Sequence, residues 1–309
     1  MKIYKFKTIL ELNKTFNTEL SCIKYLEYLR WGKNNINIKS PFDINSKVYK
    51  CKNHKYRCKN TNKYFNVKTG TMFENSKLSL RLWFSAIWLF VNNHKGISSI
   101  SLSEMLGITQ KTSWFMLQRI RNCFENHKEL SGIIEIDETY LGCKAENMHM
   151  NKRIEKKGIY KKNIVFGMYE RDNKQVIAKQ VENTKSNTLL PEIYKTIKEN
   201  SLIITDELNT YKGIGYTYIH RNVNHSNSEY TKRIIHKDKE LNININSIES
   251  FWNLFKRSIY GIYHWTSKKH LQKYINEIVF RFNNNIENRF ILNLVNSNHR
   301  LRYKQLIEC

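Results

Sequence analysis

Three carboxylates fall within four positions of the segment GIIEIDETYLG, Gly132 to Gly142: Glu135, Asp137 and Glu138. Around them Ile133, Ile134 and Ile136 have the composition of a buried strand. A second apolar run, SLIITDELNTY, carries Leu202, Ile203 and Ile204 straight into Asp206 and Glu207. Burying an unpaired carboxylate is costly, so acids at the ends of two apolar strands point to a cation that meets them there. Adjacent carboxylates repel unless one is protonated or a cation lies between them. Mg²⁺ or Mn²⁺ suits such a site, because these ions take hard oxygen ligands and keep positions open for substrate phosphate. Two ions about 3.5–4 Å apart can activate an attacking oxygen and stabilise a leaving one.

A third ligand is expected on a helix beside the strands. Along SIESFWNLFKRSI, Ile248, Trp252, Phe255 and Ile259 form an apolar stripe, and Glu249, Asn253 and Lys256 the adjacent polar one. The step from 249 to 256 turns about 700°, nearly two full turns, so Glu249 and Lys256 line up. Glu249 can then complete a metal site while Lys256 meets a phosphate further along. Taken alone, the pair also fits an ordinary solvated helix face.

The elements that must position these groups are legible as an α/β segment. GIIEIDETYLG is a strand, followed by a basic, mobile loop, CKAENMHMNKRIEKKGIYKK. NIVFGMYE and QVIAKQVEN form a hairpin, NTLLPEIYKTIKEN a helix, SLIITDE a fourth strand and YTYIHRNVNH a fifth, with a polar loop before two long helices. That order resembles an RNase H-like domain, in which the first and fourth strands are neighbours. Asp137 and Asp206 would therefore meet.

Upstream, residues 17–32 read as a capped amphipathic helix stopped by Gly32, and the stretch after Pro41 as a small antiparallel sheet. SSISLSEMLG and TQKTSWFMLQRIRNCFEN, separated at Gly107-Ile108, fit a helix-turn-helix. Trp114, Leu117, Ile120 and Arg121 share a packing sector, which leaves Gln110, Lys111, Ser113, Gln118 and Arg119 to face a DNA groove. A plain pair of packed helices is the alternative.

The chain has 309 residues, 52 basic against 27 acidic, for a net charge of +25. That length suits two or three compact domains. The charge favours a polyanionic partner, most simply nucleic acid, although a Lys-, Asn- and Ile-rich chain carries some lysine through base composition alone. The opening MKIYKFKTILELNK interleaves lysines with short apolar pieces, unlike a signal peptide. The longest apolar run, Leu82 to Val91, is about half a membrane span. A soluble intracellular protein with six reduced cysteines is expected.

The segments IEIDETYLG, IITDELNTY, NSIESFWNLFKRSIYGIYHWTSKKHLQKYINEIVFRFN and GTMFENSKLSLRLWF together resemble the Merlin superfamily of DDE transposases and its bacterial insertion-sequence relatives. The resemblance runs from about residue 17 to 285. It implies an α+β multidomain chain: an N-terminal helical segment (1–36), a degenerate zinc-ribbon-like module (37–76), a helix-turn-helix region (77–128), an RNase H-like catalytic domain (129–290) and a tail (291–309). It makes Asp137, Asp206 and Glu249 the acidic triad, with Asn246 the rival third residue and Lys256 the associated base. The chain departs from the family at the zinc ribbon, whose two Cys-x-x-Cys knuckles read here Ser40-Pro-Phe-Asp43 and Cys58-Lys-Asn-Thr61. Only Cys58 of the four ligands remains, so zinc is expected to be absent; Cys51, His54 and Cys58 are a substitute set without a fourth partner. The implied activity is cut-and-paste transposition: binding terminal inverted repeats and target DNA, in a homo-oligomer, with two Mg²⁺ or Mn²⁺ ions, in the cytoplasm of a bacterium or the nucleus of a eukaryote. A catalytically silent DNA-binding descendant and a structure-selective nuclease are the alternatives.

Overall fold

Thr18 and Ser21 exchange side-chain and backbone hydrogen bonds at the start of the second helix, and Gly32, at φ 80°, ends it. Such local signals set many element boundaries in this computed structural model. It describes residues 6–33, 37–124, 129–142, 162–206, 209–211, 213–223, 232–236, 239–295 and 300–307. The chain is a mixture of helices and sheets in two compact units, residues 1–125 with 284–309 and residues 126–283.

The first unit begins with α1 (Ile9–Thr15) and α2 (Glu19–Trp31), followed by a three-stranded antiparallel sheet, β1 (Val48–Lys50), β2 (Tyr56–Cys58) and β3 (Tyr64–Phe65). Helix α3 (Leu80–Asn92), capped by Ser79, buries Trp83, Phe84, Ile87 and Phe90; the Phe16 and Phe84 rings meet edge-on at 4.8 Å. Helices α4 (Ser99–Leu106) and α5 (Gln110–Arg121) follow, capped by Ser98 and Thr109 and separated at Gly107, which adopts the left-handed conformation at φ 64°.

The second unit is built on a five-stranded sheet in the order β6-β5-β4-β7-β8. Strands β4 (Ile133–Leu141), β5 (Asn163–Glu170) and β6 (Gln175–Val181) are antiparallel neighbours; β7 (Leu202–Thr205) and β8 (Ile219–Asn222) extend the sheet in parallel from β4. Helix α6 (Ser186–Thr196) and two short 3₁₀ turns, Asn209–Tyr211 and Ile214–Tyr216, lie between β6 and β8 in the chain. The stretch expected as a polar loop before the long helices contains a hairpin, β9 (Lys232–His236) and β10 (Lys239–Ile243). Helices α7 (Asn246–Ser258) and α8 (Lys268–Asn283) complete the unit. Residues 143–161, which hold the expected basic loop, and Glu207 lie outside the described residues.

Strand alternation sorts the core. Ile134 and Ile136 join Phe166, Met168, Leu189, Ile193 and Tyr211 on one face of the sheet. The other face packs Val165, Tyr169 and Ala178 under Ile248, Phe251, Trp252 and Phe255 of α7 and Leu271, Ile275 and Ile278 of α8. The chain then returns to the first unit with α9 (Ile286–Val295) and α10 (Tyr303–Ile307). No helix among the described residues is long and apolar enough to cross a membrane.

Candidate active site

The three acids of β4 have different surroundings. Glu135 is fully buried. One of its carboxylate oxygens accepts from the backbone N–H groups of Ser247 and Ile248, both at 2.9 Å, and the other from Arg171 Nε at 2.6 Å. Helix α7 has no side-chain cap of its own, so Glu135 supplies one from the neighbouring strand, where helix N–H groups and a carboxylate are complementary. Arg171 also donates to the Asn242 and Asn244 carbonyls, holding the segment that leads into α7.

Asp137 points to the same face. Its Oδ2 accepts from Trp252 Nε1 of α7 at 3.0 Å. Gly167 is paired opposite Asp137 on β5 and leaves room for that indole, since a Cβ at 167 would lie 2.5 Å from Trp252 Cζ2. Glu138 projects to the opposite face, where its carboxylate accepts from the hydroxyl of buried Tyr211. The two acids nevertheless converge, because β7 pairs with β4 only from Ile133–Leu202 to Glu135–Ile204. Past that point no described strand pairs with that flank of β4, and the chain leaving Thr205 places Asp206 beside it. One oxygen from each of Asp137, Glu138 and Asp206 lies within 4.8 Å of the others. Thr205, behind Asp206, shares a 2.9 Å hydrogen bond with His220 of β8.

The electrostatics follow from this crowding. Burial pushes Asp137 up to about 6, and the charges of Asp206 and Glu249 add to the rise against hydrogen bonds from the Glu138 backbone and Trp252. Burial likewise raises Glu138 to about 7, opposed by the Tyr211 hydroxyl and aided by Asp206 and Asp137. Burial and the Glu138 carboxylate keep Tyr211 protonated, so it acts as a donor. Three oxygen ligands that strain one another in this way fit a hard divalent cation, which would relieve the repulsion. Among the described residues this is the one group of three or more such ligands.

Of the expected residues, Asp137 and Asp206 come together. Glu249 is exposed on the first turn of α7, outside the group of three, though its charge is felt at Asp137. Asn246 begins that helix, exposed, and Lys256 is half-buried in its last turn. Glu138, Trp252, Gly167 and Tyr211 were not singled out as site residues. Strand alternation places Glu138 opposite Asp137, and only the early end of β7 reunites them.

The expectation that five α5 residues face a groove needs correction for three. Gln110 and Lys111 are exposed, but Ser113, Gln118 and Arg119 are buried. Arg119 donates to the carbonyls of Leu301, Met72 and Glu74 at 3.0, 2.8 and 3.1 Å. The second half of α5 is enclosed on all sides, and Arg119 is an internal strut there.

At the knuckle positions, Cys58 is fully buried. Burial pushes its thiol up, but the hydroxyls of Ser40, Ser46 and Thr61 and the Thr61 backbone more than offset this, bringing it down to about 6. Ser40 Oγ accepts from the backbone N–H groups of Phe42 and Asp43, and Asp43 accepts from Asn60 at 2.7 Å. His54 pairs with Glu27 at 3.0 Å, and Cys51 turns to the Tyr49 carbonyl.

With this geometry in view, the sequence can be set beside known families. The family model of the ISXO2-like transposase domain matches residues 129–283, nearly the whole second unit. The chain belongs to this insertion-sequence transposase family. Among its relatives is an uncharacterized protein in transposable element ISH50 of Halobacterium salinarum, 25% identical over 197 residues, which cover 62% of this chain and 65% of that protein. Another is an uncharacterized transposase-like protein of Haemophilus influenzae, 33% identical over 105 residues, which cover 34% of this chain and 77% of that one. The chain thus spans just under two thirds of the length of the ISH50 relative.

Proposed function

We propose that this protein is a DDE transposase that binds the terminal inverted repeats of an insertion sequence and cuts and joins DNA strands with divalent metal. The observation that carries the reading is the convergence of Asp137, Glu138 and Asp206 within 4.8 Å beside β4, in a chain of a transposase family. The strand order, a three-stranded antiparallel meander extended by two parallel strands with helices on both faces, supports an RNase H-like reading of residues 129–290. Residues 37–76 are then a zinc-ribbon relic and 77–128 a helix-turn-helix region, with Gln110 and Lys111 as its groove-facing residues.

Asp137 and Asp206 would hold Mg²⁺ or Mn²⁺, with Glu249 approaching from α7 and Asn246 the alternative. The metal would supply activation of the attacking oxygen and stabilisation of the leaving one. Glu135 fixes the start of α7 against β4, and with it the positions of Glu249 and Lys256. Lys256, about 10 Å beyond Glu249 along the helix, would meet a phosphate beside the scissile bond.

The test is a mobility-shift and nicking assay on DNA carrying the repeats that flank the gene. Wild type should bind and nick with Mg²⁺ or Mn²⁺. Asp206→Asn should bind equally and nick at background, a loss greater than about a hundredfold, since even the outer partners of metal ligands are worth 10–100-fold. Binding without nicking by wild type would favour the silent descendant. Undiminished nicking by Asp206→Asn would remove that residue from the site.

A further inference from the structure

The segment joining α7 to α8 is irregular, strained and anchored at both ends. Residues Ile259–Tyr263 form a π-helical turn, a geometry concentrated at functional sites. His264 follows at φ 57° and ψ −47°, and across it Trp265 N–H donates to the Tyr263 carbonyl at 2.6 Å. This is the rare, strained form of γ-turn, and such strain persists only where the surroundings enforce it. Here they do. The Tyr260 hydroxyl accepts from Gly142 N–H at the end of β4, while Tyr263 packs edge-on against Tyr274 at 4.7 Å and donates to buried Glu277 at 2.6 Å.

The product of this construction is an exposed indole. Trp265 is 77% exposed, the highest value among the exposed large hydrophobic residues that the structure describes. Its ring has no hydrogen-bond or aromatic partner among the described residues. Residues 256–273 contain five Lys or Arg and no Asp or Glu. Lys256, Arg257, Lys268 and Lys269 enter no ion pair among the described residues. A rigid aromatic platform inside a uniformly cationic stretch has the composition of a site for single-stranded nucleic acid, where cations track phosphates and a ring stacks on a base. Its place suits the acid cluster, because Gly142, which holds Tyr260, lies about 17 Å along β4 from Asp137.

We propose that Trp265 stacks on an unpaired nucleobase of the DNA strand handled at the acid cluster, with Lys268 and Lys269 on the flanking phosphates. The inference rests on the DNA-processing reading above and adds the site that takes a base out of the duplex. It predicts a preference for frayed or single-stranded ends that blunt duplex does not elicit.

The experiment uses the full chain in EDTA, so that nothing is cut, with a blunt duplex and the same duplex carrying a single-stranded overhang that contains 2-aminopurine. Wild type should quench the 2-aminopurine and bind the overhang DNA more tightly. Trp265→Ala should abolish the quench and weaken overhang binding by about five- to 150-fold, while changing blunt-duplex affinity less than about twofold. Trp265→Phe, which keeps a ring, should retain most of the effect. Lys268→Ala with Lys269→Ala should weaken both DNAs and flatten the salt dependence. Equal losses on the two DNAs, or an unchanged quench, would overturn the stacking role and leave the transposase reading intact. A Trp265→Ala protein that falls from dimer to monomer without DNA would assign the indole to a second copy of the chain instead. If wild type binds neither DNA, both readings fall together.

Discussion

The Cys58 cluster and the acid edge at Asp137 are both places where polar groups crowd in a partly or wholly buried setting, but only one is complete. Around Cys58, hydroxyls of Ser40, Ser46 and Thr61 face a sulfur that they can satisfy. At the acid edge, three carboxylates face one another, and two of them are pushed far above their ordinary range. Donors matched to an acceptor need nothing further, whereas acceptors matched to acceptors await a cation. Glu135 sharpens the contrast from within β4 itself. It lies two residues from Asp137, is more deeply buried, and is answered by Arg171 and two backbone N–H groups. Burial of an acid therefore does not mark the site; carboxylates crowded on one another, with only the neutral donors Trp252 and Tyr211 set against Asp137 and Glu138, do.

The largest stability effect should come from the completed acid. Glu135→Ala leaves Arg171 and the first N–H groups of α7 without their carboxylate, and breaking such a buried pair costs about 3–5 kcal/mol. Urea unfolding in EDTA measures it. Asp206→Asn in the same assay should leave stability unchanged or raise it, since it removes a charge that repels Asp137 and Glu138. Equal losses for both variants would erase the distinction between the acid paired with Arg171 and the acids that crowd one another.

The two clusters should also tilt stability with pH in opposite directions. Asp137 and Glu138 hold protons up to about 6 and about 7 when folded, against roughly 4 when unfolded. Between about pH 4 and 7 the folded chain binds more protons, so stability falls as pH rises, by on the order of 3 kcal/mol for each group, and then levels off. Cys58 is depressed, to about 6, so its contribution is fully present above the unfolded thiol's value of about 8.5 and is lost as pH falls through about 6. Melting curves in EDTA from pH 4 to 9 should show a fall followed by a rise. Asp206→Asn should shrink the fall, Cys58→Ser should remove the rise, and millimolar Mn²⁺ should stabilise most at the alkaline end. A fall that survives Asp206→Asn and Mn²⁺ unchanged would mean that the acid edge is not its source.

Much of this site was legible because strand chemistry is local. Isoleucines running into Asp137 and into Asp206 announced two strands that end in acids, and the pairing of β4 with β7 brings those ends together. Glu138 was not legible as a partner, since alternation sends it to the other face and only the short pairing of β7 lets it return. Gly167 and Trp252 escaped for a similar reason: each makes sense only in the register that sets Gly167 opposite Asp137. The misjudged half of α5 is the clearest case. Helical spacing cannot show that Arg119 meets carbonyls at Met72, Glu74 and Leu301, and without them a buried arginine reads as an exposed one. The β9–β10 hairpin was hidden by its Lys and Asn content, which resembles a loop.

The smallest expected effect tests the completed side of the comparison. If hydroxyls have taken over the work of a metal around Cys58, the protein as purified without chelator should contain well under one zinc per chain, and adding zinc should not raise its melting temperature. A metal-bound Cys-x-x-Cys ribbon would behave otherwise, since there the binding energy is folding energy. Cys58→Ser keeps the size and the hydrogen-bonding capacity of the side chain, so near neutral pH it should shift melting by less than about 4 °C. Elemental analysis and thermal melts on both proteins decide the matter. One zinc per wild-type chain, lost in Cys58→Ser together with a large fall in melting temperature, would mean that Cys51 and His54 turn from Tyr49 and Glu27 to bind it. The first region would then be as unfinished as the second, and what separates them would be the choice of metal: a soft-ligand site for zinc in one unit and a hard-ligand site for magnesium or manganese in the other.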